Sequence, residues 1–553
     1  MKLTSLPQYV RDAKRFTEIV SILGKYGLAT WIKESDLEFV KGLIKSAAGV
    51  RLSELTHEAR IRMALTELGP TFIKLGQILS TRADLIDPSL AKELSGLQSD
   101  TPPDPPDVVQ ATVRSELGKP PEELFAEFDD QAAASASIGQ VHFARLDNEH
   151  AVVVKVQHEG IEEKVTTDLD ILMALAELAE KYDPELRLYQ PRAMVYEFRR
   201  NLLRELDFRR EERNLKQFER NFANDESIHI PRPYPELATR RVLTMEKLEG
   251  FSVANTERLQ KEGIDTKEFA KRGARLYLDM IFRDRFYHAD PHPGNIWVLP
   301  GGRVGLLDCG MVGRLDQQTQ EEVEDMLLAA IERDAAQLTD YVIRLGSVPR
   351  DLDSDALRRE LDEFLAEYVG QSLKDFDLSG VLNAMTDIIR RYHILLPAAI
   401  STLLKSLVML EGTSRLLDRD FNLAELLQPY QVKAVERRFS PERLLHRLKR
   451  AYRDWDRFIN MLPRELGDIL QRVRAGKFDV HLEHRRLDTT VNRLVYGILT
   501  AALFLGSCQL LSLRIPPLIG GVSILGATGC LLAFGLGFRL FRAIRKSGDL
   551  GQK

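Results

Sequence analysis

Cysteine is scarce: Cys309, Cys508 and Cys530 are the only three in 553 residues. They lie far apart and form no metal-ligand spacing, which leaves no cysteine-based metal centre. Cys508 and Cys530 fall in apolar stretches where they read as small hydrophobes, and a reducing, cytosolic setting for the polar body is expected. Excess charge is also missing. Lys and Arg number 77 against 82 Asp and Glu, a formal net charge of −5, whereas a dedicated nucleic-acid binder carries a strong basic surplus. No nucleic-acid partner is expected. The first residues, Met1 to Pro7, contain no apolar run with a small-residue cleavage site, so no secretory signal is expected either. There is no internal repeat.

What is present is more telling. The run His288-Ala289-Asp290-Pro291-His292-Pro293-Gly294-Asn295, followed by Asp308-Cys309-Gly310, has the order of a phosphoryl-transfer site. Asp290 is suited to orient or deprotonate an attacking hydroxyl, while Asn295 and Asp308 are suited to hold Mg²⁺ against nucleotide phosphates. Asp308 closes the apolar run Val304-Gly305-Leu306-Leu307, so the metal ligand is expected at the exit of a short buried strand.

From about residue 128 the hydrophobic period becomes that of strands. Val141–Leu146 and Ala151–Val156 read as a hairpin joined by Asp147-Asn148-Glu149-His150. Lys155 inside a valine-rich strand is costly without a partner or ligand, and the strand lysine of a kinase meets nucleotide phosphates. The preceding Ala134-Ser135-Ala136-Ser137-Ile138-Gly139-Gln140 has the spacing of a glycine-rich phosphate loop, with Ala in place of the first two glycines. Each added Cβ restricts positive φ and close backbone approach, so this loop cannot cradle phosphates as an all-glycine loop does. Residues 166–222 read as charged helix. Within them Asp207 and Glu211, four apart, are expected on one helix face and Glu205 on another. One of these acids should pair with Lys155, and composition does not choose which. Val242 to Gly250 reads as a strand passing into a connector, whose backbone at Glu246 and Leu248 is suited to grip an adenine.

Residues 1 to about 65 read as amphipathic helices whose apolar faces dock on the rest of the protein. A new helix begins around Pro70, and Thr101 to Asp107, rich in Pro and Asp, reads as a linker or rigid turn. After Asp308 the chain re-enters helix almost at once, at Gln317 to Glu332, leaving no segment to dock a peptide, which argues against a protein substrate. The remainder to about 470 is helical, with basic stretches at Lys433–Arg438 and His446–Arg450 that fit either a solvated surface or an anionic-lipid-facing patch. Leu494–Leu513 and Ile515–Phe538 are uncharged, and each is long enough to cross a hydrocarbon core of ~30 Å as a helix. Arg485, Arg486 and Arg493 before them, and Arg539, Arg542, Arg545 and Lys546 after, put both ends on the cytoplasmic side with Arg514 in a short far-side loop. Gly529, Ala533 and Gly537, four apart, would let the two helices approach closely.

Together these residues resemble the UbiB family of atypical protein-kinase-like proteins, also called AarF or ADCK. The resemblance runs from about Arg60 to Val312, and the C-terminal hairpin is similar to that of bacterial membrane-anchored members. It rests on a K-x-G-Q motif at Lys74-Leu75-Gly76-Gln77, the Ala-rich loop, Lys155, an E-x-D motif at Glu205-Leu206-Asp207, Asp290 with Asn295, and Asp308. The resemblance implies an α+β, protein-kinase-like bilobal fold, mostly helical, with N-terminal helices folded over the place where a protein substrate would sit. It implies that Lys74 pairs with the E-x-D acids and that Glu211 is the acid holding Lys155. Cys309 and Ala289 depart from the D-F-G and H-R-D of typical kinases. The first leaves metal binding intact, and the second removes a partner for an activation-loop phosphate.

The expected divisions are an N-terminal helical extension (1–107), an N-lobe with a helical insertion (108–250) and a helical C-lobe (251–475). A juxtamembrane linker (476–493), two transmembrane helices (494–538) and a basic cytoplasmic tail (539–553) follow. The expected function is a kinase-like ATPase using ATP or ADP and Mg²⁺ at the bacterial cytoplasmic membrane, a multi-pass protein with its catalytic body in the cytoplasm. By resemblance it supports ubiquinone or related isoprenoid-quinone biosynthesis. The expected partners are membrane lipids, polyprenylated quinone precursors, quinone-biosynthesis enzymes and a second copy of the chain as a homodimer. The alternatives are a small-molecule or protein kinase, or a nucleotide-switched, non-catalytic lipid-binding scaffold.

Overall fold

The computed structural model describes residues 13–28, 55–80, 82, 84–97, 101–182, 190–349, 351–368, 377–438, 452, 456, 487–519 and 522–546. The basic stretch 446–450, Arg485, Arg486 and the end of the tail lie outside the described residues. The chain divides into two units, Met1–Arg443 and Leu444–Lys553.

In the first unit, alternating burial builds an antiparallel sheet. Its order is Glu127–Phe128, Gly139–Arg145, Ala151–Gln157, Val242–Glu246 and Pro233–Ala238, with Ala134–Ser135 added beside Gly139–Arg145. Val152, Val154 and Val156 point to one face and pack on Val109 and Val113 of helix Pro106–Leu117. The two-residue period therefore turns Lys155 and Gln157 to the opposite face. The Pro-rich run expected as a linker also starts that helix, with Pro106 at its first position, where a missing N–H costs nothing.

Three helices follow the Lys155 strand: Ile161–Tyr182, Pro191–Glu205 and Arg209–Asn221. The shared helix face expected for Asp207 and Glu211 does not form, because the chain breaks between the second and third helices. The break has a tertiary cause. Gln157 donates its side-chain amide to the carbonyls of Leu206 and Arg240, and the Phe208 N–H donates to the Arg240 carbonyl at 3.0 Å. The sheet thus takes up backbone groups that a continuous helix would pair internally.

The N-terminal extension packs as its amphipathic pattern requires. Phe16, Ile19 and Val20 of helix Ala13–Lys25 join Leu68, Phe72 and Ile73 of helices His57–Leu68 and Pro70–Leu79 in one core with the rest of the unit. Downstream, helix Thr266–Phe282 carries the small sheet Ile228–His229, Arg303–Leu306, Ile296–Leu299, Phe251–Ser252 and the separate pair Phe286–His288 with Val312–Arg314. Helix Gln317–Ile331 begins soon after, its N-terminus capped by Asp316. Helices Ala335–Leu345, Ser354–Tyr368 and Leu378–Arg391 form a second core, and helices Ala398–Leu417 and Leu423–Arg438 complete the unit.

In the second unit, helices Leu487–Ser512 and Ile524–Lys546 run antiparallel, with the Cys508 and Cys530 sulfurs 3.9 Å apart. The first is long and apolar enough to cross a membrane, and the apolar part of the second, Ile524–Leu540, is shorter. Here the expected span 515–538 is corrected. Its first residues form the turn, with Leu518–Ile519 paired to Val522–Ser523, and helix begins only at Ile524. Close approach is made by Gly529, where a Cβ would overlap Ser507, and by Gly526, where it would lie 2.7 Å from Leu511. Gly537 meets Thr500 only at an ordinary 3.7 Å. The outer surface is apolar, with Leu505, Leu531 and Phe534 exposed.

Candidate active site

Lys155 and Glu211 meet because the strand and the helix after the break face one another. The Lys155 ammonium lies 2.6 Å from Glu211 and 3.5 Å from Asp308. Glu211 is thus the acid that pairs with Lys155. Asp207 instead binds Arg209 at 2.7 Å, and Glu205 ion-pairs with Lys74.

The lysine and Glu211 side chains are 17% and 6% exposed, while that of Asp308 is 62% exposed and opens into the cleft. Burial opposes the charge on both Lys155 and Glu211. The lysine is nevertheless raised by its two carboxylate neighbours, so the pair stands as ammonium and carboxylate. Lys155 first, against burial, and then Lys74 pull the Asp308 carboxyl down to about 2. Burial likewise works against the Lys74 charge, but Glu205, followed by Asp308 and Asp290, outweighs it and raises the lysine. The K-x-G-Q lysine therefore lies within electrostatic reach of Asp290 and Asp308. The extension is also tied across the cleft: Asp84, paired with Arg82 at 2.8 Å, accepts hydrogen bonds from the Leu396 N–H and the Ser401 hydroxyl, each at 3.3 Å. Gln77 donates to the Leu97 carbonyl at 3.0 Å, and so holds the extension rather than facing the cleft.

A buried histidine organises the loop carrying Asp290. The His288 Nδ1 accepts from the Asp290 N–H at 3.2 Å, and its Nε2–H donates to the Leu307 and Asp308 carbonyls at 3.1 Å, a tautomer assigned from this network. Asn295 donates its amide to the Asp290 carbonyl and carboxylate, both at 3.1 Å, which leaves the amide oxygen without a donor among the described residues. The Asn295 carbonyl takes the Leu307 N–H at 2.9 Å, bringing Asn295 beside Asp308. Asp308 itself has φ +49°, a left-handed conformation that a non-glycine residue adopts at a cost. Asn214 steadies the turn by donating to the Cys309 carbonyl at 2.9 Å.

The Ala-rich loop exposes Ala134 and Ala136, half-buries Ser135, whose hydroxyl lies 3.4 Å from His158 Nε2, and buries Ser137, Ile138 and Gln140. Gln140 accepts from the Asp104 N–H at 2.6 Å, so its amide serves the Pro-rich strap. Gly139 has a packing reason: a Cβ there would lie 2.5 Å from the Val156 carbonyl of the neighbouring strand. The Glu246 side chain bonds His229 at 2.9 Å and the Arg232 N–H at 3.1 Å. Leu248 is buried, and its backbone N–H has no hydrogen-bond partner among the described residues.

Two residues that sequence reasoning missed fasten the loop around Asp290 from helix Ala398–Leu417. The Ser406 hydroxyl donates to the Ala289 carbonyl and the Thr413 hydroxyl to the Pro291 carbonyl, each at 3.0 Å. These contacts span more than a hundred residues of chain, and nothing in the local pattern marks them.

A strand lysine held by a helix glutamate, facing an acid–asparagine loop and a second acid at a strand exit, defines a kinase-like site. Residues 96–342 match the ABC1 atypical kinase-like domain, 361–422 the UbiB helical domain and 481–546 the ABC1/UbiB kinase-like C-terminal domain. A Pseudomonas aeruginosa "Probable protein kinase UbiB" is 36% identical over 71% of this chain and 75% of that protein. A namesake from Marinobacter nauticus is 33% identical over 84% of this chain and 86% of that one. A Clostridium pasteurianum protein described only as uncharacterised, in the hydrogenase 1 5′ region, is 30% identical over 97% and 99%. A solved Mycobacterium tuberculosis structure, a complex with erythromycin, covers 66% of this chain at 23% identity with a TM-score of 0.40. The chain belongs to the ABC1/UbiB family of atypical kinase-like proteins.

Proposed function

We propose that the protein binds a magnesium adenine nucleotide and transfers its terminal phosphoryl group to water or a small acceptor at the cytoplasmic membrane face. The observation that carries this reading is Lys155, held 2.6 Å from Glu211 and 3.5 Å from an Asp308 carboxylate that opens into the cleft. Lys155 contacts the inner phosphates, and the free Leu248 N–H together with the Glu246 backbone grips the base. Asp290, its carboxylate fixed by Asn295, orients the nucleophile.

Magnesium is implied by this chemistry, and the donors fit it. Among the described residues there is no cluster of three or more His, Cys, Asp or Glu side chains. Mg²⁺ in nucleotide sites, however, takes one or two protein oxygens and completes its shell with phosphate oxygens and water. Asp308 and the amide oxygen of Asn295 are the groups that would hold it. When bound, the ion supplies charge neutralisation between the phosphates.

Lys74, within electrostatic reach of Asp290 and Asp308, and the extension that carries it favour a small acceptor or water over a docked protein, as does the short path from Asp308 to helix Gln317–Ile331. The apolar outer surface of the helical hairpin supports a membrane anchor crossing twice, with its arginine-bearing ends in the cytoplasm. Family membership and that anchor support a role in ubiquinone or related isoprenoid-quinone synthesis, whose polyprenylated intermediates reside in the bilayer. Lipids, those intermediates, quinone-pathway enzymes and a second copy of the chain are the partners this reading allows. Nucleotide hydrolysis by the purified full chain, with and without membrane lipids, tests it. Turnover that is lost in Asp290→Asn is the expected result, and turnover unchanged in that variant overturns the catalytic assignment.

A further inference from the structure

Two hydroxyls seven residues apart, Ser406 and Thr413, share one face of helix Ala398–Leu417 and hold the carbonyls on either side of Asp290. Both are buried, at 1% and 6% exposed, so the register of this helix against the catalytic loop is fixed. Lys405 is the residue next to Ser406 and is partly buried. Asp290 is the acid whose field it feels, yet no carboxylate lies within ion-pair distance of it among the described residues. The two other lysines of the cleft are committed, Lys155 to Glu211 and Lys74 to Glu205. The loop from Asp290 to Asn295 contains no lysine or arginine, and His292 uses its Nδ1 to accept the Gly294 N–H at 3.1 Å.

A partly buried ammonium without a counter-ion is costly unless an anionic ligand completes it. Burial lowers the proton affinity of Lys405, and Asp290 only partly restores it. Phosphoryl transfer spreads negative charge over the terminal group, and a fixed cation there stabilises it. We propose that Lys405 contacts the terminal phosphoryl group of a bound nucleoside triphosphate, a catalytic contact delivered by the helical domain rather than by the loop. This rests on the nucleotide reading above. The step it assists breaks the bond between the terminal phosphorus and its bridging oxygen. The attacking oxygen forms the new bond and gives its proton to Asp290, and the diphosphate leaves with the electron pair.

The test is calorimetric titration of the full chain in detergent with magnesium and either ADP or a non-hydrolysable ATP analogue, for wild type, Lys405→Met, Lys405→Gln and Lys405→Arg. A charge-assisted contact predicts that the neutral variants lose about ten- to hundredfold in triphosphate affinity. Diphosphate affinity stays within about twofold, and Lys405→Arg retains the triphosphate preference. Having two neutral variants guards against one that fails to fold. Equal losses for both nucleotides, or none, overturn the assignment while leaving nucleotide binding intact. A wild-type chain that binds neither nucleotide overturns the underlying reading instead.

Discussion

Replacing Glu211 by Gln isolates the interaction on which the cleft is built. The substitution keeps the shape and an acceptor oxygen but removes the charge 2.6 Å from Lys155. Removing one partner of a buried pair costs ~3–5 kcal/mol when the other charge is left alone. Here Asp308 remains at 3.5 Å and the amide still accepts a hydrogen bond, so the expected loss is about 2 kcal/mol. In a unit of this size that lowers the melting temperature by roughly a few degrees. Lys155 would also be drawn toward Asp308, competing with the metal for the carboxylate, and magnesium-dependent nucleotide affinity would fall about tenfold. A double-mutant cycle makes the argument sharp. If the cost is an uncompensated ammonium, adding Lys155→Met to Glu211→Gln recovers part of the lost stability. Strict additivity in thermal melts of the full chain would refute the ion-pair account.

Gly313→Ala should destabilise the fold by about 1–3 kcal/mol, because the new Cβ would overlap the buried Tyr287 ring, whose hydroxyl is anchored to the Ala399 carbonyl at 3.1 Å. An unchanged melting temperature would contradict that packing. Asp308 is depressed to about 2 in the folded chain against ~3.9 unfolded, so its stabilising contribution is complete above about pH 4 and is lost as the pH falls through about 2. The gap in melting temperature between wild type and Asp308→Asn is therefore flat from neutral pH to about 5 and narrows below 4. A gap that instead changes between pH 7 and 6 would point to another group. Ala136→Gly, at an outward loop position whose φ is not positive, adds backbone freedom and should shift the ratio of ATP to ADP affinity. Identical ratios before and after would refute this.

The site was legible in sequence wherever function depends on residue type at fixed spacing. Lys155, Asp290, Asn295 and Asp308 were marked by order and by the strands that carry them, and they meet in one cleft. The choice among Glu205, Asp207 and Glu211 was not legible from helical periodicity, because Gln157 and Arg240 break the helix between them from a distance in sequence. Loop spacing marked Ala134 to Gln140, but it did not distinguish residues that face the cleft from Gln140, which holds Asp104, or Gly139, which makes room for Val156. Ser406, Thr413 and Lys405 carry no local signature, and their importance exists only once helix Ala398–Leu417 lies against the loop. The second apolar span starts too early because its limits follow the absence of charge alone, whereas Pro516-Pro517 and Gly520-Gly521 mark a turn inside the same uncharged run and helix begins only at Ile524.

The most direct test of the central claim is the magnesium dependence of ATP binding to the full chain, measured side by side for wild type and Asp308→Asn. Asp308 as a ligand of the nucleotide's metal predicts tight binding by wild type only with magnesium, and a variant whose affinity is weak and no longer responds to it. A variant that binds magnesium ATP as tightly as wild type, with the same metal dependence, would contradict the account.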